Sequence, residues 1–129
     1  MTNRKNFTTG APWESKVGYS RAVKVGNLIE ISGTTAVKNG EIVHSDNAYL
    51  QTKVIIDIAN KVLEEAGGSL TDVVRTRMYI TNIKFWEDVA KAHGEAFAEI
   101  KPATTLVEIK GLVDEKMLVE IEFTAILNP

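Results

Sequence analysis

The chain has 129 residues, of which 44% are hydrophobic and 25% are charged, as is ordinary for one folded domain and not for a disordered chain. Its 15 Lys and Arg residues and 17 Asp and Glu residues give a net charge of -2, so no basic excess indicates a nucleic-acid partner. The absence of cysteine excludes disulfides, thiolate catalysis and zinc–cysteine sites.

The sequence also lacks the patterns that indicate a metal, a cofactor or a membrane. His44 and His93 are far apart, show no ligand spacing and are interpreted as polar surface residues. There is also no glycine-rich phosphate loop, so we expect neither a metal nor a cofactor. Residues 1–10 are polar, unlike a signal peptide, and no apolar run reaches the length of a membrane span. We therefore expect a cytoplasmic protein with one domain over residues 1–129.

The first part of the chain predicts a leading loop and two hairpins. Residues 1–16 are expected to form the loop. Apolar and polar residues then alternate over 17–25 and 28–32, and the Gly-Asn pair at 26–27 predicts the turn between these two strands. The Asn-Gly pair at 39–40, between short apolar stretches, predicts a second hairpin.

Two helices and three strands are predicted in the remainder. Apolar residues at spacings of three and four predict a helix over 48–66, which two glycines end. A period of two predicts a strand over 72–81, and a second helix is expected over 85–100, with Trp86 facing inward and Pro102 preventing its continuation. One side of the strand would carry Val74, Thr76, Met78 and Ile80. The last predicted elements are strands at 103–109 and 117–127.

This order of elements favours an α+β fold, in which two helices pack on one face of a mixed β-sheet. The other face would then be left bare. We expect the apolar side of the last strand to form that bare face and to associate with other copies of the chain. The residues on this side are Met117, Val119, Ile121 and Phe123.

Glu120 and Glu122 alternate with these apolar residues in the last strand. A carboxylate in a half-buried strand is costly unless it is paired or has a function. Three interpretations are open: this side is partly solvated, Arg75 and Arg77 from the other long strand pair with the carboxylates, or Glu120 takes part in chemistry.

Tyr19 and Arg21 are two residues apart in the first predicted strand and should share a face. A phenol beside a guanidinium would form an anchor for a carboxylate, because Arg offers a planar fork of donors. The alternative is a surface Arg beside a core Tyr. Thr104 and Thr105 place two hydroxyls at the start of a strand, which β propensity alone can also explain.

Two segments resemble signatures of the reactive-intermediate deaminase (RidA/YjgF) family. Residues 18–33, which begin with Gly-Tyr and end with Ser-Gly, resemble the first signature. Residues 102–108 (PATTLVE) followed by 118–122 (LVEIE) resemble the second. The likeness extends over nearly the whole chain from Tyr19 onward.

The resemblance implies a chorismate-mutase-like fold and a homotrimer, in which the sheets meet around a central β-barrel and three equivalent clefts lie between subunits. It also implies that enamines and imines, such as 2-aminoacrylate, are hydrolysed to a 2-oxo acid and ammonia without a cofactor. The expected partners are other copies of the chain and a small carboxylate-bearing metabolite, with neither a membrane nor a nucleic acid.

The resemblance also implies roles for individual residues. Tyr19 matches the cleft tyrosine of the family, and Glu120 matches the glutamate that positions or activates water, so both are candidate catalytic residues. Ser32 and Gly33 match the backbone turn beside the ligand. Further ligand-binding candidates on this ground are Lys84, at the position of a family asparagine, Thr105 and Leu106.

One position departs from the family pattern. Deaminating members carry an arginine that binds the substrate carboxylate where this chain has Thr104. A hydroxyl cannot replace a charge-assisted bidentate pair, so the chain is a divergent member by this criterion. Arg21 is the candidate substitute, because strand alternation would place it beside Tyr19.

Three functions are therefore compared. The first is a deaminase of the 2-iminobutanoate/2-iminopropanoate type, with Thr104 in place of the usual arginine. The second is a ligand-binding or regulatory trimer that uses the same cleft without turnover. The third is an endoribonuclease or translation inhibitor, which the acidic balance and the lack of a histidine pair disfavour.

Overall fold

The computed structural model describes residues 3–128. The strands are β1 (Arg4–Phe7), β2 (Ala22–Val25), β3 (Leu28–Thr34), β4 (Val37–Lys38), β5 (Glu41–Ile42), β6 (Val73–Ile80), β7 (Ala103–Glu108) and β8 (Val119–Ile126). The helices are α1 (Pro12–Val17), α2 (Ala48–Glu65) and α3 (Trp86–Phe97), with 3-10 turns at Leu70–Asp72 and Ile83–Phe85.

The described residues form a six-stranded sheet in the order β1-β2-β3-β8-β6-β7, and β4 and β5 form a separate hairpin. β7 runs parallel to β6, whereas the other neighbours in the sheet are antiparallel, so the sheet is mixed. α2 and α3 pack against each other and cover one face of this sheet, which we call the helix face. The predicted α+β architecture is confirmed, and we call the opposite face the open face.

The turn signals of the sequence lie where they were predicted. Residues 26–27 join β2 to β3, and residues 39–40 join β4 to β5. Asn39 and Gly40 have φ angles of 52° and 79°, which are the left-handed values that a two-residue hairpin turn requires. At the start of α2, the Asn47 side chain accepts a hydrogen bond from the Leu50 amide at 2.9 Å.

The leading loop predicted over residues 1–16 is wrong for its described part, which begins at residue 3, while residues 1–2 lie outside the described residues. The strand predicted to begin at residue 17 is also wrong. β1 pairs with β2, and α1 ends at Val17, so that the strand begins only at Ala22. Glu14 in α1 is 4% exposed and accepts hydrogen bonds from the Thr8 and Thr9 hydroxyls, which ties this segment down. A six-residue helix is too short to produce a periodic apolar signal, and its buried polar bonds leave no hydrophobic pattern.

The apolar side of β8 was assigned to the wrong face. Val119, Ile121 and Phe123 are 0% exposed on the helix face, and Met117 is also buried. The alternation itself was predicted correctly, but alternation alone does not say which side the helices cover. The open face of β8 carries Glu120 and Glu122 instead.

Two smaller departures concern β6 and α3. Thr76, Met78 and Ile80 are buried as one side of β6, but Val74, predicted with them, is exposed because the pairing with β8 shifts register there. α3 begins at Trp86, which was predicted to face inward but is 50% exposed.

Among the helices of residues 3–128, none has the length and hydropathy that crossing a membrane requires.

Candidate functional site

Tyr19, Arg21, Gly33 and Glu120 lie together, and we call them the carboxylate cluster. A guanidinium nitrogen of Arg21 donates to the Gly33 carbonyl oxygen at 2.6 Å. The guanidinium carbon lies 5.7 Å from the centre of the Tyr19 ring, within the range of a cation–π contact. The Glu120 carboxyl packs against Gly33 so closely that a Cβ atom at Gly33 would lie 2.8 Å from its carboxyl carbon.

The backbone explains how these residues meet. Glu120 projects from β8 on the side opposite Val119, and the pairing of β3 with β8 shifts register between Ile31 and Thr34. This irregularity contains Ser32 and Gly33, and it is where the chain passes beside the Glu120 carboxyl. Gly33 is needed there for space, because any side chain would occupy the volume of the carboxylate.

The predicted contact between Tyr19 and Arg21 exists, but the reason given for it is wrong. Neither residue lies in a strand, since α1 is ended by Gly18 in the left-handed region with a φ of 90° and β2 begins at Ala22. The irregular segment between α1 and β2 places the Arg21 guanidinium over the Tyr19 ring. Ser32 holds this segment, because its amide donates to the Arg21 carbonyl and its hydroxyl to the Ser20 carbonyl.

The electrostatics of Glu120 differ from those of a surface carboxylate. Burial raises its pKa above the ordinary value, the neighbouring Glu122 carboxylate raises the pKa further, and the Arg21 guanidinium partly opposes both effects. Within residues 3–128, the single ion pair closer than 4 Å joins Lys53 and Glu95 on the surface. Of the three interpretations, pairing of the carboxylates with Arg75 and Arg77 is therefore wrong. Glu120 is therefore a half-buried proton acceptor without an ion-pair partner in the described chain.

Glu122 and Arg75 have neutral partners. Glu122 accepts a hydrogen bond from the Tyr79 hydroxyl at 3.0 Å, and Arg75 donates to the Thr105 hydroxyl at 2.7 Å. The Nε atoms of Arg21 and Arg75 are both buried and have no hydrogen-bond partner among the described residues. Buried donors are nearly always paired, so both atoms remain available to a water molecule or to a ligand.

Thr104 lies on the opposite face of the sheet from the carboxylate cluster. Its register partner in β6 is Thr76, which is 0% exposed on the helix face. The two hydroxyl oxygens are 2.9 Å apart, and the Thr76 hydroxyl is also 2.9 Å from Nε2 of His93 in α3. We call these three side chains the hydroxyl–histidine network. In a single protomer, Thr104 therefore does not join Tyr19, Arg21 and Glu120.

The hydroxyl–histidine network lies at an open groove of about 480 Å³ between α3 and β7. Its other lining residues include Met78, Ile83, Trp86 and Leu106. Lys84, exposed beside Ile83 in the 3-10 turn before α3, donates its amide to the Asn82 side chain. Leu106 and Lys84 were predicted as ligand-binding residues, and the groove was not predicted.

Sequence reasoning missed His93, which was interpreted as a polar surface residue. It is half-buried, its ring lies 4.6 Å from that of Phe97, and burial lowers its pKa. The sequence did contain a signal for this position. His93 lies four residues after the buried Val89 and four before the buried Phe97, and such spacing places a residue on the covered side of a helix.

In residues 3–128, no group of three or more His, Asp or Glu side chains is arranged to hold a metal ion.

Known proteins resemble this chain over almost its full length. The family model described as Endoribonuclease L-PSP matches residues 9–127. A RutC family protein of Pyrococcus abyssi is 38% identical over 97% of this chain and 98% of its own. The 3-aminoacrylate deaminase RutC of Acinetobacter baylyi is 31% identical over 83% of this chain and 85% of its own. The crystal structure of a YjgF/YER057c/UK114 family member from Mycobacterium tuberculosis has a TM-score of 0.88 and 39% identity, and the match covers 97% of this chain and 100% of the other.

Proposed function

Because the chain belongs to the RidA/YjgF family, whose sequence model is described as Endoribonuclease L-PSP, we propose that it hydrolyses enamine or imine metabolites to a 2-oxo acid and ammonia. The substrates would be small carboxylate-bearing molecules bound in clefts between the subunits of a homotrimer. The observation that carries the proposal is Glu120, a half-buried carboxylate with a raised pKa beside Arg21 and Gly33. The relative named as a 3-aminoacrylate deaminase supports the same class of reaction.

The chemistry requires one group that accepts a proton and then returns it. In the first step, Glu120 takes a proton from water while the water oxygen bonds to the carbon of the protonated imine, and the C=N electron pair moves to the nitrogen, which becomes an amine. In the second step, the protonated carboxyl gives its proton to that nitrogen, the C–N bond breaks and ammonia leaves. The C=O bond forms as the hydroxyl proton passes to the Glu120 carboxylate, which then releases it to solvent or to ammonia. A carboxyl with a pKa closer to neutrality than usual performs both transfers more readily.

Arg21 would bind the carboxylate of the substrate in place of the arginine that is missing at Thr104. Its guanidinium is half-buried, lies against the Tyr19 ring and retains an unpaired donor within the described chain. Such a group binds carboxylates through charge-assisted hydrogen bonds. Imines already hydrolyse in water, so orientation by Arg21 and proton transfer by Glu120 would account for a large part of the acceleration.

A site between subunits would unite residues that one protomer keeps apart. The carboxylate cluster and Thr104 lie on opposite faces of the sheet, so one chain cannot bring them to the same ligand. β7 is an edge strand in which five of six residues are exposed. If β7 of one copy lies beside the carboxylate cluster of another, Thr104 of the first copy and Glu120 of the second line one cleft. Thr105 follows Thr104 in the strand and lies on the other side of β7, where it bonds to Arg75.

The proposal is tested by ammonia release from 2-aminoacrylate that is generated in situ and that tautomerises to 2-iminopropanoate. We expect the wild-type protein to exceed the buffer rate, and Glu120→Gln to lose roughly 100-fold in kcat because the proton acceptor is removed. Arg21→Ala should raise KM, with partial recovery in Arg21→Lys. The matched control is Glu41→Gln, which removes an exposed carboxylate in β5. A wild-type rate equal to that of buffer would contradict hydrolysis.

Binding without turnover is the second candidate, and the threonine at position 104 favours it. Thr104 offers a hydroxyl that is already bonded to Thr76, where a substrate anchor would need a positive charge. A ligand that binds only the folded state raises its Tm. If 2-oxo acids raise the Tm equally in wild type and in Glu120→Gln, while no ammonia is released by either, binding without chemistry is the better account.

A further inference from the structure

The groove between α3 and β7 has unusually apolar walls for an open surface. Trp86 is 50% exposed and Ile83 is 49% exposed, and both face the same groove as Met78 and Leu106. Soluble proteins rarely group large exposed apolar side chains without a function for them. Its volume of about 480 Å³ lies within the range of small-molecule pockets.

The polar part of the groove is neutral and internally bonded. The Thr104 hydroxyl donates to the Pro102 carbonyl at 3.1 Å, which leaves its oxygen as an acceptor toward Thr76. The Thr76 hydroxyl oxygen lies within hydrogen-bond distance of both Thr104 and His93, and burial disfavours the charged form of that histidine. The groove lining contains no Lys, Arg, Asp or Glu side chain among the described residues. Such a surface suits an uncharged group and offers nothing to a carboxylate.

We propose that this groove binds the apolar substituent of the substrate, so that the preferred substrates are imines with a large aliphatic or aromatic side chain. The inference rests on the function proposed above, because the carboxylate of the same substrate would be bound by Arg21 of a neighbouring copy. The substituent would cover Trp86 and Ile83 and end against Thr104. The methyl group of 2-iminopropanoate is too small to cover these residues and would leave the groove filled with water.

The size of the preference follows from the apolar area removed from water. Burying a side chain as large as that of leucine should raise kcat/KM by a factor of between about 10 and 100 relative to a methyl group. Removing the indole of Trp86 would remove most of this factor, because Trp86 is the largest side chain in the groove.

The test compares imines made in situ from alanine and from leucine by a flavin-dependent amino acid oxidase with oxygen and catalase. Semicarbazide traps the imine that remains, so hydrolysis is measured as the fall in trapped product. We expect kcat/KM for the leucine-derived imine to be at least about tenfold higher. Trp86→Ala should remove most of the difference by lowering kcat/KM for the leucine-derived imine, and the matched control Trp13→Ala, at a residue that is 51% exposed, should keep the difference.

Equal rates for the two imines, or a preference for the alanine-derived imine, would overturn the inference and leave the proposed hydrolysis intact. Failure to hydrolyse either imine would instead contradict the proposed function. A second readout then still tests the groove, because Trp13→Phe leaves Trp86 as the sole tryptophan of the chain. When each 2-oxo acid is titrated, the change in Trp86 fluorescence should give a Kd for 4-methyl-2-oxopentanoate at least about tenfold lower than that for pyruvate. Equal affinities would overturn the inference.

Discussion

The two faces of the sheet carry polar clusters that differ in charge and in how fully they are bonded. In the carboxylate cluster, Glu120 lies without an ion pair within 4 Å in the described chain, and Arg21 retains an unpaired buried donor. In the hydroxyl–histidine network, Thr76 bonds to both Thr104 and His93, and the group is neutral. Burial acts on both clusters, raising the pKa of Glu120 and lowering that of His93.

This difference indicates a role in reactivity for the carboxylate cluster and a role in holding the fold for the hydroxyl–histidine network. A charged group that the protein leaves incompletely paired can exchange protons with a ligand, whereas a neutral and satisfied network holds two elements in fixed positions. We therefore expect changes in the carboxylate cluster to alter activity with little effect on stability. Changes in the hydroxyl–histidine network should lower stability with little effect on activity.

Gly33→Ala should show the largest effect. The new Cβ would lie 2.8 Å from the carboxyl carbon and from Oε2 of Glu120, so the carboxylate must move away from its position. A displacement of about 1 Å at a reacting group can reduce kcat roughly 100-fold. Because the displaced atoms are the end of a flexible side chain, the Tm should change little. Ammonia release and thermal melting measure the two quantities.

Gly111→Ala is the matched control, since nothing lies within 4 Å of a Cβ atom at that position. It should leave both kcat and Tm close to their wild-type values. If Gly33→Ala retains full activity, or if it unfolds the protein, the proposed role of Gly33 in positioning Glu120 is wrong.

Thr76→Val should have an intermediate effect, and on stability. Valine has nearly the same shape, but it removes the hydroxyl that joins β6 to Thr104 and to His93. Loss of these hydrogen bonds in a fully buried position should lower the free energy of unfolding by about 1–3 kcal/mol, measured by urea denaturation.

Thr52→Val provides a comparison within the same core. Thr52 is also 0% exposed, but its hydroxyl donates to the Ala48 carbonyl of its own helix at 2.8 Å. That carbonyl also accepts the regular helical bond, so no group is left unpaired and the loss should stay below about 1 kcal/mol. Equal losses in Thr52→Val and Thr76→Val would show that the hydroxyl–histidine network does not stabilise the fold.

The pH dependence of stability should show the smallest effect, with opposite signs for the two clusters. Burial holds the pKa of His93 below 6.5, so as the pH falls below 6.5 the unfolded chain takes up this proton first and stability is lost. The pKa of Glu120 is raised above 4.5, so as the pH falls toward 4.5 the folded chain takes up this proton first and stability is gained.

Single variants separate these two contributions. His93→Gln should lose less stability than wild type between pH 7 and pH 5. Glu120→Gln should be more stable than wild type at pH 7, with an advantage that shrinks as the pH approaches 4.5. Urea denaturation at several pH values measures both, and each variant is the control for the other. For each variant, the difference in free energy of unfolding from wild type is plotted against pH, and the two plots should slope in opposite directions. Slopes of the same sign would contradict the opposite pKa shifts of His93 and Glu120.

Much of the fold was accessible from local patterns. The glycine and asparagine pairs predicted both hairpin turns, the apolar spacing predicted α2, and the alternation placed Glu120 and Glu122 on one side of β8. These features depend on neighbouring residues, and a single stretch of sequence contains them. The signature segments identified the family for the same reason.

The leading segment could not be predicted in this way. β1 is stabilised by pairing with β2, and α1 by hydrogen bonds that the buried Glu14 accepts from Thr8 and Thr9. Neither interaction leaves a periodic pattern. The contact between Arg21 and Tyr19 was predicted from a strand that does not extend so far, and it forms through an irregular segment instead.

The sequence by itself therefore determined the period of the elements that follow the leading segment, the two hairpin turns, the family and the chemical types of the site residues. The tertiary structure decided which side of the sheet α2 and α3 cover, and hence that Val119 is buried while Glu120 faces the open side. It also decided that Thr104 and Glu120 lie on opposite faces and that His93 joins Thr104 through Thr76. Alternation states that two residues point to different sides, but only packing between distant segments determines which side is covered.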